Sequence, residues 1–122
     1  MRKILIVDDH ADIRRLIRMT LEFENYEIHE AADGESALAV AFELQPELVL
    51  LDVMMPGELD GLEVCRQLRA KGWPGLHVVM LSARGHARDR EAGLKAGADV
   101  YLVKPFSPLH LIDCIATLWA PA

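Results

Sequence analysis

Long hydrophobic runs are missing from this chain. The stretch Ile4 to Val7 is stopped by Asp8 and Asp9, and Leu48 to Leu51 is stopped by Asp52. A membrane span needs about 20 apolar residues, so none is expected. Met1-Arg2-Lys3 imitates the basic end of an export signal, but the apolar run behind it is too short to complete one. Cysteine is scarce as well. Cys65 and Cys114 lie far apart with no CxxC spacing, which argues against metal or redox work and for a reducing cytoplasm. Both are expected to be small core or interface residues. Basic charge is not in excess either: 13 Lys and Arg stand against 19 Asp and Glu, a formal net charge of -6. That balance excludes a sequence-independent grip on nucleic acid or an anionic membrane.

What is present is the composition of one globular domain: 122 residues, 52% apolar and 26% charged, enough to bury a core without staples. No internal repeat, low-complexity tract or linker divides it. Four apolar runs recur, at Ile4 to Val7, Leu48 to Leu51, His77 to Leu81 and Val100 to Val103. They do not alternate, so they are expected to be strands covered on both faces. Glu27 to Ala31 does alternate, as an edge strand would.

Helical stripes fill the gaps. Ile13, Leu16, Ile17, Thr20 and Leu21 form one, Ala37, Leu38, Ala41 and Leu44 a second, and Gly61, Val64, Cys65 and Leu68 a third, with Gly72 as its stop. A fourth helix, over about 87–96, is weakly apolar and carries Gly93 inside it, at a cost of about 1 kcal/mol. Ser107-Pro108 opens a last helix to about Trp119. Strands alternating with helices predict an α/β, flavodoxin-like (βα)5 fold, a doubly wound parallel sheet of order 2-1-3-4-5. The ligand crevice of such a fold lies beyond the carboxyl ends of strands one and three.

The residues at those strand ends carry chemistry. Asp8 and Asp9 follow the first run, Asp52 the second, Ser82 the third and Lys104 the fourth. Three carboxylates so close disfavour one another's ionisation, a cost that a hard cation relieves. Mg²⁺ (or Mn²⁺) fits, because it takes one or two carboxylates and leaves positions for water and phosphate oxygens. A carboxylate can attack phosphorus while the cation and a lysine neutralise the transferring oxygens. Asp52, alone at its strand end, is the expected nucleophile; Asp8 and Asp9 are the expected metal-holding pair. Lys104 would pair with the phosphoryl group and Ser82 would donate a hydrogen bond to it.

Segments Ile4 to Asp9 (ILIVDD), Leu50 to Gly57 (LLDVMMPG), Asp60-Gly61, Leu81 to Ala83 (LSA), Ala96 to Asp99 (AGAD) and Tyr101 to Phe106 (YLVKPF) stand in order along the chain. With them the sequence resembles the receiver domain of bacterial two-component response regulators over essentially its whole length. The resemblance implies that residues 1–122 are a receiver domain, stand-alone or the N-terminal part of a longer regulator. It implies Asp52 as phosphoacceptor, Asp8, Asp9 and the backbone carbonyl of Met54 as metal ligands, Lys104 as phosphoryl partner and a cis bond before Pro105. It further implies Ser82 and Tyr101 as a switch pair. The phosphoryl group would draw Ser82 inward, Tyr101 would rotate into the vacated space, and the surface around the fourth helix and last strand would rearrange. The donor would be a phosphohistidine on a sensor histidine kinase or a histidine phosphotransfer protein. The domain would be a cytoplasmic switch rather than an enzyme, promoting only its own phosphorylation and dephosphorylation, with no direct contact to nucleic acid or membrane.

This sequence departs from the family pattern in three places. Glu58-Leu59 lengthens the loop after Asp52 by one residue. Val100 stands where members that dimerise on the last strand and flanking helices carry a second aspartate, and residues 107–122 hold no arginine. The last helix has only His110, Asp113 and Thr117 as polar residues between Leu109 and Trp119, so Leu111, Cys114 and Leu118 are expected to meet a second copy or an effector. Arg84 is expected to reach the crevice mouth and affect hydrolysis of the acyl phosphate. Arg14, Arg15 and Arg18 are expected to form the wet face of the first helix. The five histidines are dispersed, His10 being notable because it follows the acidic pair.

Two rival readings come from other classes. A flavodoxin-like cofactor-binding module would share the fold, but Asp8-Asp9-His10 stands where a phosphate cradle rich in Gly, Ser and Thr belongs. A phosphatase with an aspartyl nucleophile would turn over phosphate esters, which a receiver should not.

Overall fold

A computed structural model describes residues 1–119. Five strands, β1 (Arg2–Val7), β2 (Tyr26–Ala31), β3 (Leu48–Asp52), β4 (His77–Ser82) and β5 (Val100–Val103), alternate with α1 (Ala11–Leu21), α2 (Gly34–Leu44), α3 (Gly61–Lys71), α4 (Ala87–Ala96) and α5 (Pro108–Trp119). All pairings are parallel and the sheet order is β2-β1-β3-β4-β5. This is the (βα)5 sheet expected from the sequence. Val7 pairs with Leu51 and Asp52 with Leu81, so the carboxyl ends of the three central strands open on one crevice.

The apolar runs do not alternate because both faces of the sheet are dry. Leu5, Val7, Val49, Leu51, Val78 and Met80 point to one side, where Ala37, Leu38 and Ala41 of α2 and Val64, Cys65 and Leu68 of α3 cover them. Ile4, Ile6, Leu48, Leu50, Val79 and Leu81 point to the other, under Ile17 and Leu21 of α1 and Leu111 and Ile115 of α5. The helices start where local chemistry starts them. Asp33 accepts from the Ser36 N–H at 2.8 Å, Asp60 from Glu63 at 2.9 Å and Ser107 from His110 at 3.0 Å, each satisfying a backbone donor that the helix leaves free.

Three expectations need correction. Leu16 is 47% exposed; only Ile17 and Leu21 of the α1 stripe are buried, because α1 turns those two residues to the sheet and leaves Leu16 at the margin of the contact. Leu111 is 0% exposed and belongs to the core, so it is no surface residue; the wide apolar arc of α5 is used up by the sheet and by its own margins, where Cys114 and Leu118 lie half-buried against the same core. Finally, Arg15 is exposed as expected, but Arg14 and Arg18 do more than form a wet face. Their guanidiniums reach Glu30 of β2 at 3.1 and 2.7 Å, and Arg18 also donates to the Ile28 carbonyl at 3.2 Å, tying α1 to the edge strand.

Far from the crevice, Trp119 closes α5 over the opposite end of the sheet. Its indole N–H donates to the Tyr26 hydroxyl at 3.0 Å, Arg2 lies over its ring at 4.2 Å, and His77 meets the ring edge-on at 5.5 Å. On the other face Arg69 of α3 spans to α4 and β5, donating to the carbonyls of Gly97 and Leu76 and to Asp99, each at 2.8 Å. Nothing in the sequence pattern pointed to Arg69, since two of its three partners are backbone carbonyls and the third, the Asp99 carboxylate, lies 30 residues away.

Candidate functional site

The crevice holds a cavity of about 280 Å³ lined by His10, Asp12, Ile13, Asp52, Met54, Ala83 and Lys104. Its floor comes from strand ends. Asp52 is the last residue of β3. Gly61 explains how α3 can begin against it: a Cβ there would collide with the Asp52 carbonyl, and the bare Gly61 N–H instead donates to Val53 O at 2.9 Å. The lengthened loop does not close over the cavity. Leu59 packs inward, its Cβ only 2.6 Å from where a Cβ on Gly34 would stand.

Asp8 is fully buried, and both of its oxygens are hydrogen-bonded. Its Oδ2 accepts from Lys104 Nζ at 2.8 Å, and its Oδ1 accepts from the His10 N–H at 2.9 Å and lies 3.1 Å from His10 Nδ1. Lys104 also donates to Asp52 Oδ1 at 3.3 Å, so one ammonium sits between two carboxylates. Arg14 donates to the Asp8 carbonyl at 2.6 Å, bracing the turn. Asp9 differs: its Oδ1 is buried but hydrogen-bonds to nothing, although His10 Nδ1 lies 3.2 Å away.

These contacts set the charges. Burial, and then the negative charge of Asp8, push the Asp52 carboxyl up to about 6, against the opposing pull of Lys104. Burial works against the Lys104 ammonium, but the hydrogen bond to Asp8 and the charge of Asp52 outweigh it and hold it above the ordinary lysine value. The hydrogen bond to Asp8, reinforced by the charge of Asp9, raises His10. One ligand atom from each of Asp8, Asp9, His10 and Asp52 can be chosen so that all four lie within 4.8 Å of one another. Hard oxygen donors, an oxygen without a partner and a carboxylate whose ionisation is resisted all fit a divalent cation.

Ser82 is buried, and its Oγ accepts from the Arg84 N–H at 3.0 Å. The Tyr101 hydroxyl donates to the Arg84 carbonyl at 2.7 Å. Tyr101 is thus already inside, which differs from the expectation that it turns in only when Ser82 vacates space. The Lys104-Pro105 bond is cis. The exposed side chain of Arg84 is not part of the cavity wall; what this residue contributes is a backbone bridge between Ser82 and Tyr101, which side-chain reasoning could not find. Met54 does line the cavity.

Residues 4–116 match the model of the response regulator receiver domain. The chain belongs to that family. This receiver is 53% identical over 110 residues to the transcriptional regulatory protein ResD of Bacillus subtilis, covering 90% of this chain and 45% of that protein. It is 47% identical over 111 residues to the transcriptional regulatory protein SrrA of Staphylococcus aureus, covering 90% and 44%. The receiver therefore spans about half the length of the curated relatives it matches. Among solved structures, the chemotaxis protein CheY4 of Vibrio cholerae superposes with a TM-score of 0.89 at 33% identity, covering 97% of this chain and 98% of that one. The response regulator TrrA of Thermotoga maritima, solved in complex with Mg²⁺ and BeF, gives 0.85 at 39% identity, covering 97% and 99%. The receiver is thus a module of two-component signal transduction. Among the described residues no helix is long and apolar enough to cross a membrane.

Proposed function

We propose that this receiver takes a phosphoryl group onto Asp52 from a phosphohistidine of a sensor kinase or phosphotransfer protein. The observation that carries the reading is Lys104, whose ammonium stands between buried Asp8 and Asp52 in the wall of a cavity with room for a phosphoryl group. Asp8, Asp9, Asp52 and the Met54 carbonyl would hold Mg²⁺ (or Mn²⁺). When bound, that cation neutralises charge on the transferring oxygens and on the three carboxylates.

The remaining steps belong to the chain. A bond forms between an Asp52 carboxylate oxygen and phosphorus as the P–N bond of the donor breaks, its electron pair leaving with the imidazole. Lys104 turns from Asp52 to the new phosphoryl oxygens, where charge has moved. Ser82 donates its O–H to the same group. Because Ser82 Oγ is tied to the Arg84 N–H and the Arg84 carbonyl to Tyr101, a shift of Ser82 is passed to Tyr101 and to the α4, β5 and α5 surface through one residue. The switch acts on the loop that holds Tyr101, not on a vacant pocket. A second copy or an effector reaching α5 would touch Cys114 and Leu118, not Leu111. The net charge of -6 supports action through proteins rather than by direct contact with nucleic acid or membrane; the domain would act in the cytoplasm and turn over no outside substrate.

Intact-mass spectrometry after incubation with a small-molecule acyl phosphate tests this. A labile adduct that requires Mg²⁺ and is absent from Asp52→Asn is expected. An adduct formed equally by Asp52→Asn, or steady release of inorganic phosphate from added phosphate esters, would overturn the assignment.

A further inference from the structure

We propose that His10 supplies a nitrogen ligand to the cation site, so that this receiver binds a later first-row metal ion such as Ni²⁺ more tightly than an all-oxygen site would. The inference rests on the reading of Asp8, Asp9 and Asp52 as cation holders and adds to it a donor of a different chemical kind.

Position is the first argument. His10 occupies the N-cap of α1, where Ser, Thr, Asp or Asn would bond a free N–H of the first turn. Its ring makes no such bond. The imidazole turns back instead onto the acidic pair, with Nδ1 3.1 Å from Asp8 Oδ1 and 3.2 Å from Asp9 Oδ1.

Distance is the second. Two donors about 2.1 Å from one cation and at right angles stand about 3.0 Å apart, close to the separations observed. An imidazole nitrogen facing two carboxylate oxygens is joined to them either by the hydrogen of its own N–H or by a metal ion. A proton on Nδ1 serves Asp8, with which the hydrogen bond is made; it leaves the buried Asp9 Oδ1 without a partner. An ion with several coordination positions meets both oxygens and the nitrogen. The ring also lines the cavity and is itself exposed, so an ion can enter beside it. Imidazole favours later first-row metals, whereas Mg²⁺ gains little from nitrogen.

The test uses untagged protein, wild type and His10→Ala, with Mg²⁺, Mn²⁺ and Ni²⁺ chlorides in mildly alkaline buffer. Pulsed EPR of bound Mn²⁺ should show a nitrogen coupling in the wild type that His10→Ala lacks. Calorimetry should show Ni²⁺ affinity falling at least about tenfold in the variant, with Mg²⁺ affinity changing less than about twofold. Because the ring is exposed, both proteins should melt alike. Bound Mn²⁺ without nitrogen coupling, or equal Ni²⁺ affinities, would overturn the role of His10 and leave the carboxylate site intact. If Asp9→Asn and Asp52→Asn bind Mg²⁺ as tightly as the wild type does, the cation reading falls and this inference with it.

Discussion

Gly93 and Tyr101 are in such close contact that no side chain fits between them: a Cβ on Gly93 would stand 2.8 Å from Tyr101 Cδ2 and 3.0 Å from Met80 Sδ. The glycine lowers helix propensity in α4, yet it makes room for the buried ring whose hydroxyl is anchored on Arg84. Gly93→Ala should therefore cost about 1–3 kcal/mol by overpacking. In a Tyr101→Ala background the same change should cost clearly less, since only the flexible end of Met80 still stands in the way and alanine favours the helix. Denaturant unfolding of the four proteins measures that coupling; additive effects would show that the ring and the glycine are independent.

Asp52 makes the resting protein less stable at neutral pH. Its carboxyl is raised from 3.8 to about 6 in the fold, so between those values the native state binds more protons than the unfolded chain. Stability linked to Asp52 is present below pH 3.8 and is lost as pH rises through about 6. Asp52→Asn should accordingly be more stable than wild type above that window, by on the order of 2 kcal/mol, with the gap closing in acid. Denaturation across the pH range checks the sign. Adding Mg²⁺ should stabilise wild type more than Asp52→Asn.

Lys104 holds two buried carboxylates. Lys104→Met should leave Asp8 and Asp52 facing each other without their shared cation, costing on the order of 3 kcal/mol at neutral pH. Phosphoryl uptake from a small-molecule donor, followed by mass, should slow about a hundredfold. Uptake at the wild-type rate would remove Lys104 from the transfer step.

Arg69 and Arg66 lie on the same helix and should behave differently. Arg69 makes two bonds to carbonyls and one to Asp99, while Arg66 pairs with Glu63 on the surface at 3.0 Å. Arg69→Ala should cost about 2–3 kcal/mol, and Arg66→Ala less than about 0.5 kcal/mol. Urea midpoints separate the two.

The alternation of strands and helices, the parallel sheet and the set Asp8, Asp9, Asp52, Ser82 and Lys104 were legible in the linear chain. Strand and helix periods are local properties, and in a parallel sheet whatever follows each strand must arrive at the same edge. Other features were decided only in three dimensions. Leu16 and Leu111 are both leucines on amphipathic helices, yet one is half exposed and the other fully buried, because the orientation of each helix against the sheet decides which part of its apolar stripe is covered. Arg84 matters through its own N–H and carbonyl, which any residue type but proline would offer, and Arg69 through two backbone carbonyls and a carboxylate 30 residues away, so the sequence carries little mark of them. His10 stands next to the acidic pair in the sequence, but only the turn into α1 aims its ring at both carboxylates. The chain thus specifies its chemistry through residue types placed at strand ends, while packing between elements remote in the chain decides which side chains are buried, braced or left free.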